Sequence, residues 1–313
     1  MNRITFDKFD FSKYRDNLVV TDPKIAELYR IFGDNVFLLP RGEKAKSFEQ
    51  VELLCKWFLI KNLSKSDTVV AIGGGSIGDA VGFATSIFKR GVKVLHVPTT
   101  LIAQVDSSIG GKTAIDLDGV KNAVGSYHFG DTLIDVDFLK TLDEPQMTSG
   151  MGEIIKYAML DEQVANVYAN GKGKLNDVIF ACVNCKKRIC ELDPYCEGER
   201  NKLNFGHTIG HALELSCDIS HGVAVANGIY YETLLAYKLG KCDQSYADKW
   251  MSAVAAKFKI YPLAKEILAL TLHDKKNACG KVGFVLPNKF DETLLPLQKI
   301  EELLLNDKSK RPI

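Results

Sequence analysis

Apolar and polar positions follow two different rhythms along this chain, and one gives way to the other near residue 137. In the first part, short apolar runs are separated by amphipathic stretches. Thr68-Val69-Val70-Ala71-Ile72 is a nearly continuous apolar run rich in β-branched residues, as a strand covered on both faces requires. Residues 17–20, 35–39, 92–97 and 132–134 read as further strands, with Pro98 closing the run at 92–97. Between them, Thr21-Asp22-Pro23 reads as a helix start and residues 47–60 as an amphipathic helix. Gly73-Gly74-Gly75-Ser76-Ile77-Gly78-Asp79 reads as a turn leading into a helix that reaches about Phe88. Strand, glycine turn, helix and strand in that order predict a βαβ unit with a parallel sheet.

Beyond residue 137 the period becomes helical, over residues 145–160, 175–192, 206–217, 224–239 and 244–257. A late apolar run, 282–286, is closed by Pro287 and predicts one more strand; the polar tail 306–313 is expected to fray. The expected architecture is α/β. A Rossmann-like α/β domain takes residues 1–136, and a mostly α-helical C-terminal domain takes 137–313.

Composition narrows the function. A chain of 313 residues with 46% hydrophobic and 25% charged residues is ordinary for a soluble globular protein large enough for two domains. A formal net charge of +1 gives no field for nucleic acid or anionic lipid, so neither is an expected partner. Eight cysteines over this length do not make a disulfide scaffold. The start, Met1-Asn2-Arg3-Ile4-Thr5-Phe6-Asp7, lacks the apolar core of a signal peptide, and no apolar run is long enough for a bilayer; a cytoplasmic protein is expected. Asn62-Leu63-Ser64 fits a glycosylation acceptor, but nothing else suggests secretion.

Chemistry concentrates in four segments. Gly73-Gly74-Gly75-Ser76 follows a buried strand and opens a helix, so its backbone can approach a pyrophosphate at a positive helix end. The alternative is a tight turn with no ligand, and the spacing is not the common dinucleotide fingerprint. Asp79 is either a ribose ligand or a helix-surface acid, and Thr99 and Thr100 end the next strand at the edge where open α/β sheets bind ligands. The polar, glycine-rich segment Val105-Asp106-Ser107-Ser108-Ile109-Gly110-Gly111-Lys112-Thr113, with Lys121-Asn122 soon after, suits an oxyanion or is a solvated hairpin. In the second half, three of six histidines fall within fifteen residues: His207 and His211, four apart on one helix face, and His221 after a turn. With Glu153 they offer a carboxylate and two or three imidazoles, an open catalytic zinc shell. Glu153 and Lys156 are either a surface ion pair or, among Ile154 and Ile155, a buried pair that meets a charged ligand. Cys182 and Cys185 form a C-x-x-C pair inside a helical pattern, read as buried thiols rather than a redox or zinc motif.

Taken together, the segments 73–79, 98–113, 121–122, 150–157 and 200–211 resemble the 3-dehydroquinate synthase family of the sugar phosphate cyclases, over about Asp22 to Lys276. The resemblance implies a catalytic NAD in the N-terminal domain and Zn2+, with Co2+ as the alternative, held by Glu153, His207 and His221. Asp22, Glu43, Lys46, Gly74, Gly75, Asp79, Thr99, Thr100, Lys121 and Thr141 would line NAD. Lys112, Asn122, Lys156, Asn204 and His211 would surround the substrate phosphate, with Arg90 of the partner subunit of a homodimer. Lys186, Arg200 and Lys275 or Lys276 would hold the substrate carboxylate and hydroxyls, and Asp106 joins this catalytic set. The implied reaction converts 3-deoxy-D-arabino-heptulosonate 7-phosphate to 3-dehydroquinate and phosphate, in the shikimate route to aromatic amino acids.

Two positions depart from the family pattern: Val223 stands where Glu usually follows His-Gly, and Cys196 stands where an acid is expected four before Arg200. The alternatives are a sister cyclase acting on another sugar phosphate, a glycerol-dehydrogenase-like polyol oxidoreductase, and a non-catalytic relative. Sister cyclases have no substrate carboxylate to bind, so the Arg200 and Asn204 combination favours dehydroquinate, and a polyol dehydrogenase has no use for Lys112 and Lys156.

Overall fold

The computed structural model describes residues 3–169, 174–273, 277–287 and 289–305. Lys275, Lys276 and the tail 306–313 lie outside the described residues. The chain divides into two compact units, one of residues 1–147 with 186–195, the other of 148–185 with 196–313.

The first unit is built on six strands: β1 (Ile4–Phe6), β2 (Leu18–Thr21), β3 (Val36–Leu38), β4 (Thr68–Gly73), β5 (Lys93–Pro98) and, past a hairpin, β8 (Asp131–Ile134). They form one parallel sheet in the order β1-β8-β5-β4-β2-β3. Its helices are α1 (Pro23–Tyr29), α2 (Phe48–Ile60) and α3 (Gly75–Ile87). The apolar run in β4 divides by its period of two. Val69 and Ala71 pack with Leu18, Val20, Leu54, Phe58 and Phe83 on one face, while Val70 and Ile72 pack with Val19, Ile31, Val97 and Phe138 on the other. This is the α/β sheet expected from the sequence. Helix starts follow local chemistry: Asp22 accepts from Lys24 N and Ile25 N at the start of α1, with Pro23 in the first turn, and Ser47 accepts from Gln50 N at the start of α2.

A feature the apolar pattern did not mark is an antiparallel hairpin, β6 (Lys112–Leu117) with β7 (Val120–Tyr127), outside the main sheet. It lies on α3, so closely that a Cβ at Gly82 would stand 2.3 Å from Thr113 Cγ2. The polar segment before it opens on a π-helical turn, Ala103–Ser107, and reaches β6 through Gly110 and Gly111, both with positive φ. Such turns concentrate at functional sites.

Two helices cross the division of the chain, α4 (Glu144–Leu160) and α6 (Leu175–Leu192), with α5 (Glu162–Ala169) between them. The second unit continues with α7 (His207–Cys217), α8 (His221–Lys238), α9 (Gln244–Ala255), α10 (Lys265–Leu270), the two-stranded β9 (Val282–Leu286) and β10 (Asp291–Leu295), and α11 (Leu297–Leu305). Its core gathers Ile209, Leu213, Leu235, Leu268, Val282, Phe284 and Ile300. Cys182 and Cys185 are buried thiols on α6, as their helical spacing suggested, and burial pushes the Cys182 thiol up. None of the eight cysteines is in a disulfide. Among the described residues no helix is long and apolar enough to cross a membrane.

Candidate active site

In the first unit the chain order of the strands locates a crevice. The chain leaves β2 toward β3 on one side and resumes at β4 on the other, so β2 and β4 flank the switch point where open α/β sheets take their ligands. Asp22 follows β2, and Gly74 and Gly75 follow β4. Both glycines sit in close packing: a Cβ on Gly74 would lie 3.1 Å from Thr100 Cγ2, and one on Gly75 would lie 2.9 Å from Ser107 Oγ. Among the described residues no side chain caps α3, so its leading N–H groups keep their capacity for an anion.

Around this turn the predicted cofactor residues form polar contacts within the unit. Lys46 is 5% exposed, and its Nζ lies 2.9 Å from Asp79 Oδ2, 3.7 Å from Glu43 Oε2 and 3.8 Å from Asp116 Oδ1, and donates to Asn122 Oδ1. Burial alone would lower the Lys46 ammonium, but the carboxylates of Asp79, Glu43 and Asp116 outweigh it and hold the group above its ordinary value. Burial raises Asp79 to about 6 against the pull of Lys46. Asp79 is thus neither a surface acid nor free for a ligand alone. Ser76 donates to Glu43, Thr99 N to Gly73 O, and Thr141 shares a 2.6 Å hydrogen bond with Tyr29 OH. Lys121 and Lys112 stand exposed on the hairpin. Arg90 is exposed on a tight turn with positive φ at Lys89, Arg90 and Gly91. Lys186 on α6 is joined to Asp106, at 2.6 Å from its carbonyl and 2.9 Å from its carboxylate.

His96 on β5 is buried beside the glycine turn, with its Nδ1 without a hydrogen-bond partner, as is Ser108 Oγ nearby. Burial, with a smaller contribution from His128, lowers the imidazole from 6.5 to about 4. The folded chain therefore keeps His96 neutral while the unfolded chain protonates it below pH 6.5. This stability is present above pH 6.5 and is lost as pH falls toward 4. Denaturant unfolding should show a loss of about 2–3 kcal/mol between pH 7 and pH 4.5 that His96→Gln removes. Equal pH slopes in the two proteins would refute the assignment.

The second unit brings together three side chains that could hold a metal ion. Glu153 on α4 is fully buried, and its carboxylate lies 3.6 Å from His207 Nε2 and 3.5 Å from His221 Nε2. All three ligand atoms are within 4.8 Å of one another. Ligand bonds of about 2.1 Å to a tetrahedral zinc give ligand–ligand edges of about 3.4 Å, so this donor set fits the cation. Both imidazoles are fixed from behind. His207 Nδ1 donates to Phe205 O at 3.0 Å and His221 Nδ1 to Glu214 Oε2 at 2.9 Å, which turns each Nε2 toward Glu153. Burial first, then Lys156, keeps His207 well below its ordinary value, in the neutral form a metal needs. Burial would also lower His221, but hydrogen bonds to Glu153 and Glu214 lift it to about 9, so an entering cation displaces that proton.

His211 is exposed, and its ring lies 5.3 Å from that of His207 and 5.8 Å from that of His221. It groups instead with Glu214 and His221. Glu214, seven residues from each of two ligands, was not singled out from the sequence; that spacing was the available signal. Lys156 is 1% exposed and ion-paired with Glu153, which makes this a buried pair rather than a surface one. Arg200 is 2% exposed and Asn204 half-buried, both on a 3₁₀ turn before α7. Cys196, with φ +66°, donates to Asn201.

Two helix backbones meet beside these side chains. A Cβ on Gly152 would stand 1.9 Å from Gly222 O, and one on Gly222 would stand 1.7 Å from Ser149 O. Gly152 precedes Glu153 and Gly222 follows His221, so α4 and α8 touch at the residues beside the ligands.

Residues 36–149 match the family model of the 3-dehydroquinate synthase N-terminal region, and residues 150–277 match that of its C-terminal region. The chain belongs to the 3-dehydroquinate synthase family. It is 35% identical to the 3-dehydroquinate synthase of Dictyoglomus turgidum over 312 residues, covering 93% of this chain and 88% of the relative. The Lactiplantibacillus plantarum enzyme is 40% identical over 273 residues, covering 82% and 75%. Among solved structures, 2-deoxy-scyllo-inosose synthase in complex with carbaglucose-6-phosphate, NAD+ and Co2+ is similar at a TM-score of 0.80 and 25% identity, covering 96% of this chain and 95% of that one. The 2-epi-5-epi-valiolone synthase of Streptomyces hygroscopicus subsp. jinggangensis, with NAD+ and Zn2+ bound, shares the fold at a TM-score of 0.83 and 22% identity, covering 97% and 96%.

Proposed function

We propose that the chain is a 3-dehydroquinate synthase, a phosphate-eliminating carbon–oxygen lyase that converts 3-deoxy-D-arabino-heptulosonate 7-phosphate to 3-dehydroquinate and phosphate with catalytic NAD and a divalent cation, Zn2+ or Co2+. The observation that carries the reading is the Glu153, His207 and His221 group, three donor atoms within 4.8 Å of one another, in a chain that matches the family in both halves. The chemistry supplied by the bound groups is hydride acceptance and return by NAD and Lewis-acid polarisation by the cation.

The remaining work falls to this chain's side chains. Glu153, His207 and His221 would hold the cation, with Phe205 O and Glu214 fixing the two imidazoles from behind. Gly74, Gly75 and the start of α3 are assigned to the NAD pyrophosphate, with Asp22, Glu43, Lys46, Asp79, Thr99, Thr100, Lys121 and Thr141 around the cofactor. By the family resemblance, Lys112, Asn122, Lys156, Asn204 and His211 are assigned to the substrate phosphate, whose leaving charge they would offset. Arg90 of the partner subunit is assigned to the same phosphate, which makes the active form a homodimer. Lys186, Asp106 and Arg200 are assigned to the carboxylate and hydroxyls. The division of labour follows the proposed domains, cofactor in the N-terminal part and metal in the C-terminal part. Eight cysteines outside any disulfide fit a reducing, cytoplasmic setting.

A phosphate-release assay with the heptulosonate phosphate, NAD and zinc, with the product identified by mass, tests the reading. Phosphate should appear with 3-dehydroquinate and without net NADH. Accumulating NADH on a polyol would move the chain to the oxidoreductases, and bound zinc with no turnover on any sugar phosphate would make it a non-catalytic relative. Arg200→Ala should lower kcat/KM for the carboxylated substrate by roughly 100-fold, as loss of a charge-assisted pair does, with NAD affinity kept. Equal losses for both would show Arg200 to be structural.

A further inference from the structure

One face of α8 carries His221, Gly228 and Glu232, at spacings of seven and four that keep them in line along the helix. The far end of this face receives the start of α7. Gly206, the residue before α7, has φ +80° and offers no side chain to cap the helix. Its N–H donates to Glu232 Oε2 at 2.7 Å, and the N–H of Ile209 donates to Glu232 Oε1 at 3.1 Å. Glu232 is fully buried, a position in which a carboxylate needs charge-assisted hydrogen bonds of this kind. Gly228, one turn earlier, makes the room: a Cβ there would stand 1.8 Å from Gly206 O.

Gly228 thus admits the backbone of Gly206, and Glu232 grips it. His207 is the next residue, and its Nδ1 is held by Phe205 O, on the other side of the same turn. The aim of His207 Nε2 is therefore set by a backbone turn that an acid on another helix holds in place. That other helix also begins with His221, so one helix carries a ligand and the clamp for a second.

We propose that Glu232 is a positioning residue for the metal site, fixing the first turn of α7 so that His207 faces Glu153. The proposal rests on the reading that Glu153, His207 and His221 hold the cation. It is tested on the full chain by three measurements on wild type, Glu232→Ala and Glu232→Gln: the Co2+ dissociation constant by chelator competition, the visible spectrum of the Co2+-loaded protein, and the affinity for NAD. Glu232→Ala should weaken Co2+ by roughly 10- to 100-fold, the usual effect of removing an outer hydrogen-bonding partner, and should alter the spectrum with NAD affinity unchanged. Glu232→Gln keeps one acceptor oxygen and should recover part of the loss. Where Glu232→Ala fails to fold, a Co2+ affinity of Glu232→Gln below wild type supports the proposal. Wild-type Co2+ affinity and spectrum in either folded variant, even with a lowered melting temperature, overturns it. A wild-type chain that takes up no Co2+ overturns the ligand assignment and this proposal with it.

Discussion

His207→Ala should leave the chain unable to retain a divalent cation, and turnover should fall to background. Three protein donors are the minimum of an open catalytic zinc site, and this substitution leaves two. The loss should exceed the roughly 10- to 100-fold that removing an outer partner costs, because a coordinate bond goes with it. Metal content after gel filtration and steady-state kinetics measure both effects. His211→Ala supplies the contrast: its imidazole is exposed and does not belong to the Glu153 group, so the variant should keep its metal and lose activity. Stoichiometric metal with normal turnover in His207→Ala would refute the ligand set, and metal loss in His211→Ala would place the wrong imidazole outside it.

Gly222→Ala should be the most damaging substitution that touches no ligand. The added methyl would stand 1.7 Å from the carbonyl oxygen of Ser149, a backbone atom with no rotamer to escape into. Relief requires α4 and α8 to separate, which moves Glu153 away from His221. Overpacking costs typically 1–3 kcal/mol where side chains can shift, and about 3 kcal/mol or more is expected here. Gly210→Ala is the graded comparison, because its methyl would meet Ala224 O at 3.0 Å and its strain is partly offset by a helix-propensity gain of about 1 kcal/mol. Denaturant unfolding should rank wild type, Gly210→Ala and Gly222→Ala in falling stability, with metal affinity in the same order. Wild-type stability in Gly222→Ala would show that the helices have slack at this crossing.

The central strands were legible because their residues are buried on both faces. Val69 to Ile72 gives a run of apolar residues with no competing reading once the glycine turn behind it is seen. The hairpin was legible only as the alternative reading of the polar segment around Lys112 and Asn122, since β7 is largely exposed and burial imposes little on its residues. β1 was not legible: it is three residues long, and its partner β8 lies more than a hundred residues away. In the metal group, His207 and His211 share a helix face, and residue spacing could not choose between them. What separates them is the direction from which Glu153 arrives, a tertiary fact. Glu214 and Glu232 sit in helical stretches where an acid reads as solvent-facing. Their roles appear only when the backbone N–H of one helix and the imidazole of another are brought to them.

The hairpin β6–β7 has no sheet to share its hydrogen bonds with, and beside its packing on α3 through Thr113, Ile115 and Ser126 it shares one polar anchor. Lys46 holds Asn122 of β7 through its ammonium and Asp116 of β6 through its carbonyl, and it also reaches Asp79 of α3. In a deuterium-exchange experiment the amides of both strands should therefore open together with the first turns of α3. Lys46→Met should speed the exchange of all three segments at once while leaving β4 and β5 as slow as before.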